Sequence, residues 1–193
     1  MKFLFSFLLL LSFVQHSTYS ISKFSEIDSS AISKIRLLFY EAVEDEDKLD
    51  ELESFIQNQF LRNSKYYKPI ILAYMGGIEA LKAKHASNPF SKLSHVVSSL
   101  DILEKAVEHD LHNLEIRFIR FSILHHLPGI LGYGEEREAD INEICLQFSK
   151  KDYIKYDPKL QKNVIEFMLE SERLTNSQTL QLKKLAVALA SNE

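Results

Sequence analysis

Three charged side chains stand in a stretch that is otherwise almost entirely apolar, residues 114–127 (LEIRFIRFSILHHL). Arg117 and Arg120 are one helical turn apart, so their guanidinium groups could form a fork that holds a carboxylate or phosphate. A helix that is apolar over most of its circumference is usually buried, however, and a buried charge needs a partner. On that second interpretation, both arginines and nearby Glu115 lock neighbouring helices together. The acids available to the arginines would be Asp110, Glu138 or Asp140.

Histidines are concentrated around the same stretch, which raises the question of a metal site. His125 and His126 are adjacent, and on a helix adjacent side chains point about 100° apart, which makes a poor chelate. His109 and His112 flank a predicted helix end. The metalloprotease motif HExxH is absent. We expect no metal ion and no cofactor, with these histidines at helix ends and on the surface.

The segment 127–140 (LPGILGYGEEREAD) contains glycines at 129, 132 and 134. One interpretation is a lid with glycine hinges, under which Arg117, Arg120 and His125 would bind a small ligand or act as an enzyme. The other is a helix-to-helix crossover whose apolar residues cover the end of the helices. Upstream aromatic residues could line a groove. The candidate binding residues are Tyr67, Tyr74, Arg117, Arg120, His125 and Tyr133.

Motifs of covalent catalysis are missing from the chain. There is no GxSxG, no phosphate-binding glycine loop and no convincing SxxK. Cys145 is the only cysteine, it has no adjacent histidine, and it can form no internal disulfide. We therefore predict no catalytic residues.

Helical periodicity recurs along the whole chain, whereas no run of residues has the alternation of a strand. Prolines and Asn, Asp or Ser residues mark the predicted helix boundaries. At Asn88-Pro89, for example, asparagine can cap a helix and proline can occupy its first turn. Apolar residues from Leu93 and Val97 to Val107 line the helix that follows. An all-α fold of antiparallel hairpins with about eight helices is predicted. Segments start near residues 28, 48, 69, 89, 114, 136, 158 and 176.

The first twenty residues have the pattern of a signal peptide. Lys2 precedes an apolar run, 3–14, of about twelve residues, too short for a bilayer span of ~20. Thr18 and Ser20 provide small residues before a cleavage site, so we expect one domain, 21–193, exported to the periplasm or beyond. An uncleaved signal anchor is the alternative. The mature chain has 22 basic and 27 acidic residues, and this net charge of −5 does not favour nucleic acid or an anionic membrane surface.

Residues 69–113 resemble a tetratricopeptide repeat. Ser99, Leu103 and Ala106 follow the small–bulky–small pattern of its second helix, and Gly76-Gly77 resemble the small residues that let its paired helices approach. Leu111 replaces the usual proline, and about ten extra residues separate Gly77 from the second helix. The resemblance implies hairpins stacked into an array, with a groove that receives a peptide or a partner helix.

A wider resemblance is to an uncharacterised family of secreted bacterial proteins with tetratricopeptide-like helices. It rests on AYMGGIEALKAKHASNPFSKL (73–93) and NLEIRFIRFSILHHLPGILGY (113–133), followed by an acidic segment. The resemblance implies the fold and export, and it does not indicate which function the protein has. From both resemblances we expect a non-enzymatic scaffold that binds a protein or peptide in a groove between the helices starting at Pro69 and Leu114. The alternative is the small-ligand or catalytic site described above.

Overall fold

The computed structural model describes residues 29–61 and 68–191, which form eight α-helices and no β-strand. An all-α fold with about eight helices is thereby confirmed for these ranges. A π-helical turn, Gln57–Leu61, extends the second helix, and short 3₁₀ turns lie at Gly129–Leu131 and Asp152–Lys155. The helices are α1 Ser29–Glu41, α2 Glu46–Ile56, α3 Pro69–His85, α4 Pro89–His109, α5 Leu114–His126, α6 Gly134–Lys150, α7 Pro158–Glu170 and α8 Asn176–Ala190.

Helix starts follow from local chemistry. The Asn88 side chain accepts hydrogen bonds from the backbone N–H groups of Phe90 and Ser91, and Pro89 occupies the first turn of α4, as predicted. Asn113 caps α5 in the same way. Most predicted boundaries lie within two residues of the observed ones. Helix α6 begins at Gly134, two residues before its predicted start.

Consecutive helices pack as antiparallel pairs. Lys34 of α1 lies 3.8 Å from Glu51 of α2 and Lys48 of α2 lies 3.8 Å from Glu41 of α1, a pattern that only opposite directions allow. Pairs α3/α4 and α5/α6 show the same relation, and α7 packs on α8. The first helix of each pair also packs on the first helix of the next, from α1 to α3, α5 and α7. The pairs therefore stack in chain order.

Glycines allow the closest of these contacts. A Cβ atom on Gly76 of α3 would lie 2.7 Å from Cγ of Leu103 and 3.2 Å from the Ser99 carbonyl oxygen, both in α4. At Gly77 it would lie 2.5 Å from the ring of Phe39 in α1. The glycine pair thus brings α3 against helices on two sides, as the small residues in the sequence suggested.

Helix α5 lies between two apolar cores. Its Ile116 and Ile119 belong to a cluster formed with α1–α4, whereas Leu114 and Phe121 belong to a cluster formed with α6–α8. Because α5 is buried on opposite faces, any charge it carries must be satisfied inside the protein.

The predicted signal peptide (1–20) and the candidate residue Tyr67 lie outside the described ranges. Within these ranges, no helix has both the length and the apolar character needed to cross a membrane.

Candidate functional site

Arg117 and Arg120 of α5 meet on a single carboxylate of α6. Arg117 Nη1 donates to Asp140 Oδ1 at 2.9 Å, and Arg120 donates through Nε and Nη2 to Oδ2 and Oδ1, both at 2.8 Å. Arg120 Nη1 also donates to Glu104 of α4, and Arg117 Nε donates to the Leu111 carbonyl at 3.0 Å. The arginine fork is therefore occupied by the protein's own acid.

Burial explains why this acid is needed. The Asp140 side chain is fully buried, and both arginine side chains are at most 10% exposed. Burial alone would lower the pKa of Arg120, but the hydrogen bonds and charge of Asp140 outweigh it, so the pKa is raised. The cluster ties α4, α5 and α6 together and leaves no free fork for a ligand.

Glu115, at the opposite side of α5, has its own internal partners. Arg36 of α1 donates to it through Nε and Nη2, both at 2.7 Å, in a bidentate pair. The Tyr74 hydroxyl donates to the same carboxylate at 2.5 Å, and burial together with Glu115 raises the pKa of that phenol well above its ordinary value. Tyr74 is thus a buried link between α3 and α5 and lines no surface groove.

His125 lies at the end of α5 and contacts the turn between α7 and α8. Its Nδ1 accepts a hydrogen bond from Arg173 Nε at 2.9 Å, and its ring packs beside His126 and Phe167. Burial, followed by the charges of His126 and Arg173, lowers the pKa of His125. Its contacts do not include Arg117 or Arg120, so the proposed three-residue ligand site is not assembled.

Two further side chains considered from the sequence are Tyr133 and Cys145. Tyr133 is half-buried and stands immediately before α6, where it provides no side-chain cap. Cys145 is buried in the second core, and burial raises the pKa of its thiol to about 11, so it holds its proton at neutral pH. No group of three or more His, Cys, Asp or Glu side chains arranged to hold a metal ion occurs in residues 29–61 and 68–191.

A shallow cleft lies over α3 between α2 and α4, and we call it the α3 cleft. It has a volume of about 200 Å³. Helix α5, which was expected to form a groove with α3, contributes nothing to its walls and instead packs directly on α3. The floor of the α3 cleft is apolar, and two glutamates and a glutamine lie at its edge. The lining residues are Glu53, Ile56, Gln57, Met75, Ile78, Glu79 and Ile102.

An exposed apolar stripe runs along the first half of α4. Phe90 is 84% exposed, Leu93 53% and Val97 56%, and their spacing of three and four residues places them on one side of the helix. We call these three residues the α4 apolar face. Leu93 and Val97 belong to the apolar set predicted to line this helix, but their neighbours in the structure do not cover them.

Unequal helix lengths explain this exposure. Helix α4 has 21 residues and α5 has 13, which at 1.5 Å per residue corresponds to about 31 Å and 20 Å. The two run antiparallel from the short turn at 110–113, as the ion pair between Glu104 and Arg120 shows. The first two turns of α4 therefore extend beyond the end of α5. The predicted helix boundaries already implied that α4 is longer than α5. Only the structure shows that Phe90, Leu93 and Val97 remain exposed where α4 extends past α5.

No protein-family model, curated protein or solved structure matches this chain. Its function must therefore be inferred from the surfaces described above.

Proposed function

We propose that this protein is an exported, non-enzymatic scaffold that binds a protein partner through the α4 apolar face. The exposure of Phe90, Leu93 and Val97 on one side of α4 is the observation that carries this proposal. Contiguous exposed apolar side chains on a helix are typical of protein contact sites, and their spacing suits an amphipathic helix of the partner. Export is proposed from the apolar segment 3–14, which has the length and flanks of a signal peptide.

The free energy available from this face can be estimated from its exposure. Complete burial of a large apolar side chain contributes about 1.5–3 kcal/mol. Weighted by exposed fractions of 84%, 53% and 56%, the three residues could contribute roughly 3–6 kcal/mol of transfer free energy. Association itself costs several kcal/mol in lost freedom, so further contacts must complete the interface.

The sequestration of the charged residues supports a binding role in preference to the small-ligand or catalytic alternative. Arg117 and Arg120 both donate hydrogen bonds to Asp140, and His125 accepts one from Arg173. The α3 cleft has none of Arg117, Arg120 and His125 in its wall. A second cleft, where the start of α6 meets the turn between α7 and α8, has none of them either.

Site-specific photo-crosslinking in the native host tests the proposal. A benzoylphenylalanine at position 90 should give one discrete adduct in the exported fraction, whereas the same group at exposed Glu108, near the far end of the same helix, should not. Replacing Leu93 and Val97 with serine should abolish the adduct while the circular dichroism spectrum stays unchanged. Equal adducts at positions 90 and 108, or none at either, would count against the α4 apolar face as the docking surface.

Sequencing the N-terminus of the exported protein tests the localisation separately. We expect it to begin near Ile21. A chain that keeps residues 1–20 and stays with the membrane would support the signal anchor and would contradict release of the scaffold.

A further inference from the structure

A second cleft, remote in chain order from the α4 apolar face, lies where the start of α6 meets the turn between α7 and α8. Its volume is about 300 Å³. This is at the lower end of the range for small-molecule sites, about 300–1,000 Å³. Two arginines, two acids, two side-chain amides and a hydroxyl line it, so its wall is mainly polar. The lining residues are Gly134, Arg137, Glu138, Ile141, Asn142, Glu172, Arg173, Thr175 and Gln178.

The two arginines of this cleft differ from the other arginines in the described ranges. Arg36, Arg117 and Arg120 are each paired with a carboxylate at hydrogen-bond distance. Arg137 and Arg173 have no carboxylate oxygen within 4.0 Å among residues 29–61 and 68–191. Both line the same cleft. Two guanidinium groups without an anionic partner therefore meet in one concave surface.

Hydrogen bonds to the end of α5 hold both guanidinium groups while leaving donors free. Arg173 donates through Nε to His125 Nδ1 at 2.9 Å and through Nη2 to the His125 carbonyl at 3.2 Å. Arg137 Nη1 donates to the Leu124 carbonyl at 3.4 Å. Arg173 Nη1 and Arg137 Nε and Nη2 remain without a partner in the described part of the chain. These nitrogens are the donors that an oxyanion would use.

The acids of the cleft restrict the ligand. Glu138 and Glu172 are exposed and also line the cleft, yet neither lies within 4.0 Å of an arginine nitrogen. Their charge would repel an extended polyanion, so the cleft suits a single small anionic group. The first turn of α6 carries Glu135 and Glu136, whose negative charges oppose the positive end of the helix dipole, so attraction of an anion depends on the two arginines.

From these observations we propose that Arg137 and Arg173 form a binding site for a small oxyanion, a carboxylate or a phosphate. The two guanidinium groups supply the charge and directed donors, and Asn142, Thr175 and Gln178 form the remaining polar wall. The site is independent of partner binding at the α4 apolar face, because it uses different helices and different residues.

Titration with two oxyanions, followed by NMR through the arginine Nε–Hε signals, tests this site. Inorganic phosphate and succinate are the probes, and sodium chloride at matched ionic strength is the control. We expect saturable shifts of Arg137 and Arg173 with at least one probe. Saturation by phosphate alone identifies a phosphate site, by succinate alone a carboxylate site, and by both a general oxyanion site. If neither probe produces shifts beyond those of chloride, the proposal is wrong.

Matched variants separate directed binding from general attraction of anions. Each of Arg137→Gln and Arg173→Gln should weaken binding about tenfold or more, since each removes charge-assisted hydrogen bonds. Lys183→Gln removes one positive charge from an exposed position of α8 that does not line the cleft, and it should leave affinity unchanged. An equal loss in Lys183→Gln would overturn the proposal. If a glutamine variant fails to fold, Arg137→Lys takes its place in the titration, because lysine keeps the positive charge but lacks the planar guanidinium fork.

Discussion

Replacing Asp140 with asparagine would remove the carboxylate that Arg117 and Arg120 share. One amide atom of asparagine can still accept a hydrogen bond, but its NH₂ group would face a guanidinium donor. Loss of one partner from a buried ion pair typically costs about 3–5 kcal/mol. Arg120 keeps Glu104, whose side chain is 53% exposed, and Arg117 keeps the Leu111 carbonyl. We therefore expect the lower end of that range, about 3 kcal/mol.

This loss is large relative to the stability of a single domain, which is about 5–15 kcal/mol. For a chain of this length, 1 kcal/mol corresponds to roughly 2–4 °C in Tm, so Asp140→Asn should lower Tm by about 6–12 °C. Urea unfolding followed by circular dichroism gives the free energy, and a thermal scan gives Tm.

The matched control is Asp101→Asn, which disrupts a pair with Lys105 whose side chains are 62% and 56% exposed. An exposed pair of this kind contributes at most about 1 kcal/mol, and about 0.3–0.5 kcal/mol is typical on a helix. If Asp140→Asn costs no more than Asp101→Asn, the ion cluster does not lock α4, α5 and α6 together and the reasoning is refuted.

Three further predictions concern helix contacts, a titration and a cap. Gly77→Ala should lower the free energy of unfolding by about 1–2 kcal/mol, because the displaced Phe39 ring outweighs the helix propensity gained; a stabilised variant in urea unfolding would contradict the close approach. Arg173→Gln should raise the NMR-measured pKa of His125 towards 6.5. Because the pKa of His125 is lower in the folded state, the unfolded chain binds this proton more readily, and the free energy of unfolding falls as pH drops below 6.5. This pH-dependent fall should be smaller in Arg173→Gln. An unchanged pKa in the variant would refute the contribution of Arg173 to the lowered pKa. Asn88→Ala should cost about 1 kcal/mol in urea unfolding through loss of two cap hydrogen bonds, whereas no loss would show that Pro89 alone sets the helix start.

Some of the candidate site could be inferred from the sequence and some could not. Apolar residues on both sides of α5 indicated burial, and burial required partners for its charges, so paired arginines were a foreseeable alternative. Asp140 was one of three candidate acids, and only the packing of α6 against α5 selected it. The partner of Glu115 is Arg36, 79 positions away. No local pattern connects two residues that meet only because α1 and α5 pack on the same helix.

The exposed surfaces were still less accessible to sequence reasoning. A helix period shows that Leu93 and Val97 share a side of α4, but it does not show whether a neighbour reaches them. They are exposed because α5 is shorter than α4 and ends before it reaches them. Similarly, Arg137 and Arg173 look like ordinary surface charges, and they share a cleft only because the end of α5 holds both side chains between α6 and α8.

The sequence by itself determined the eight helices and most of their boundaries, because proline, capping residues and apolar periodicity act over a few residues. It also determined that α5 is buried and that its charges must be neutralised. The tertiary structure alone decided which acid neutralises which arginine, which apolar stripe stays exposed and which arginines remain without an acid. Those outcomes depend on helices far apart in the chain, whose relative placement is set by the summed packing of two cores rather than by any local pattern.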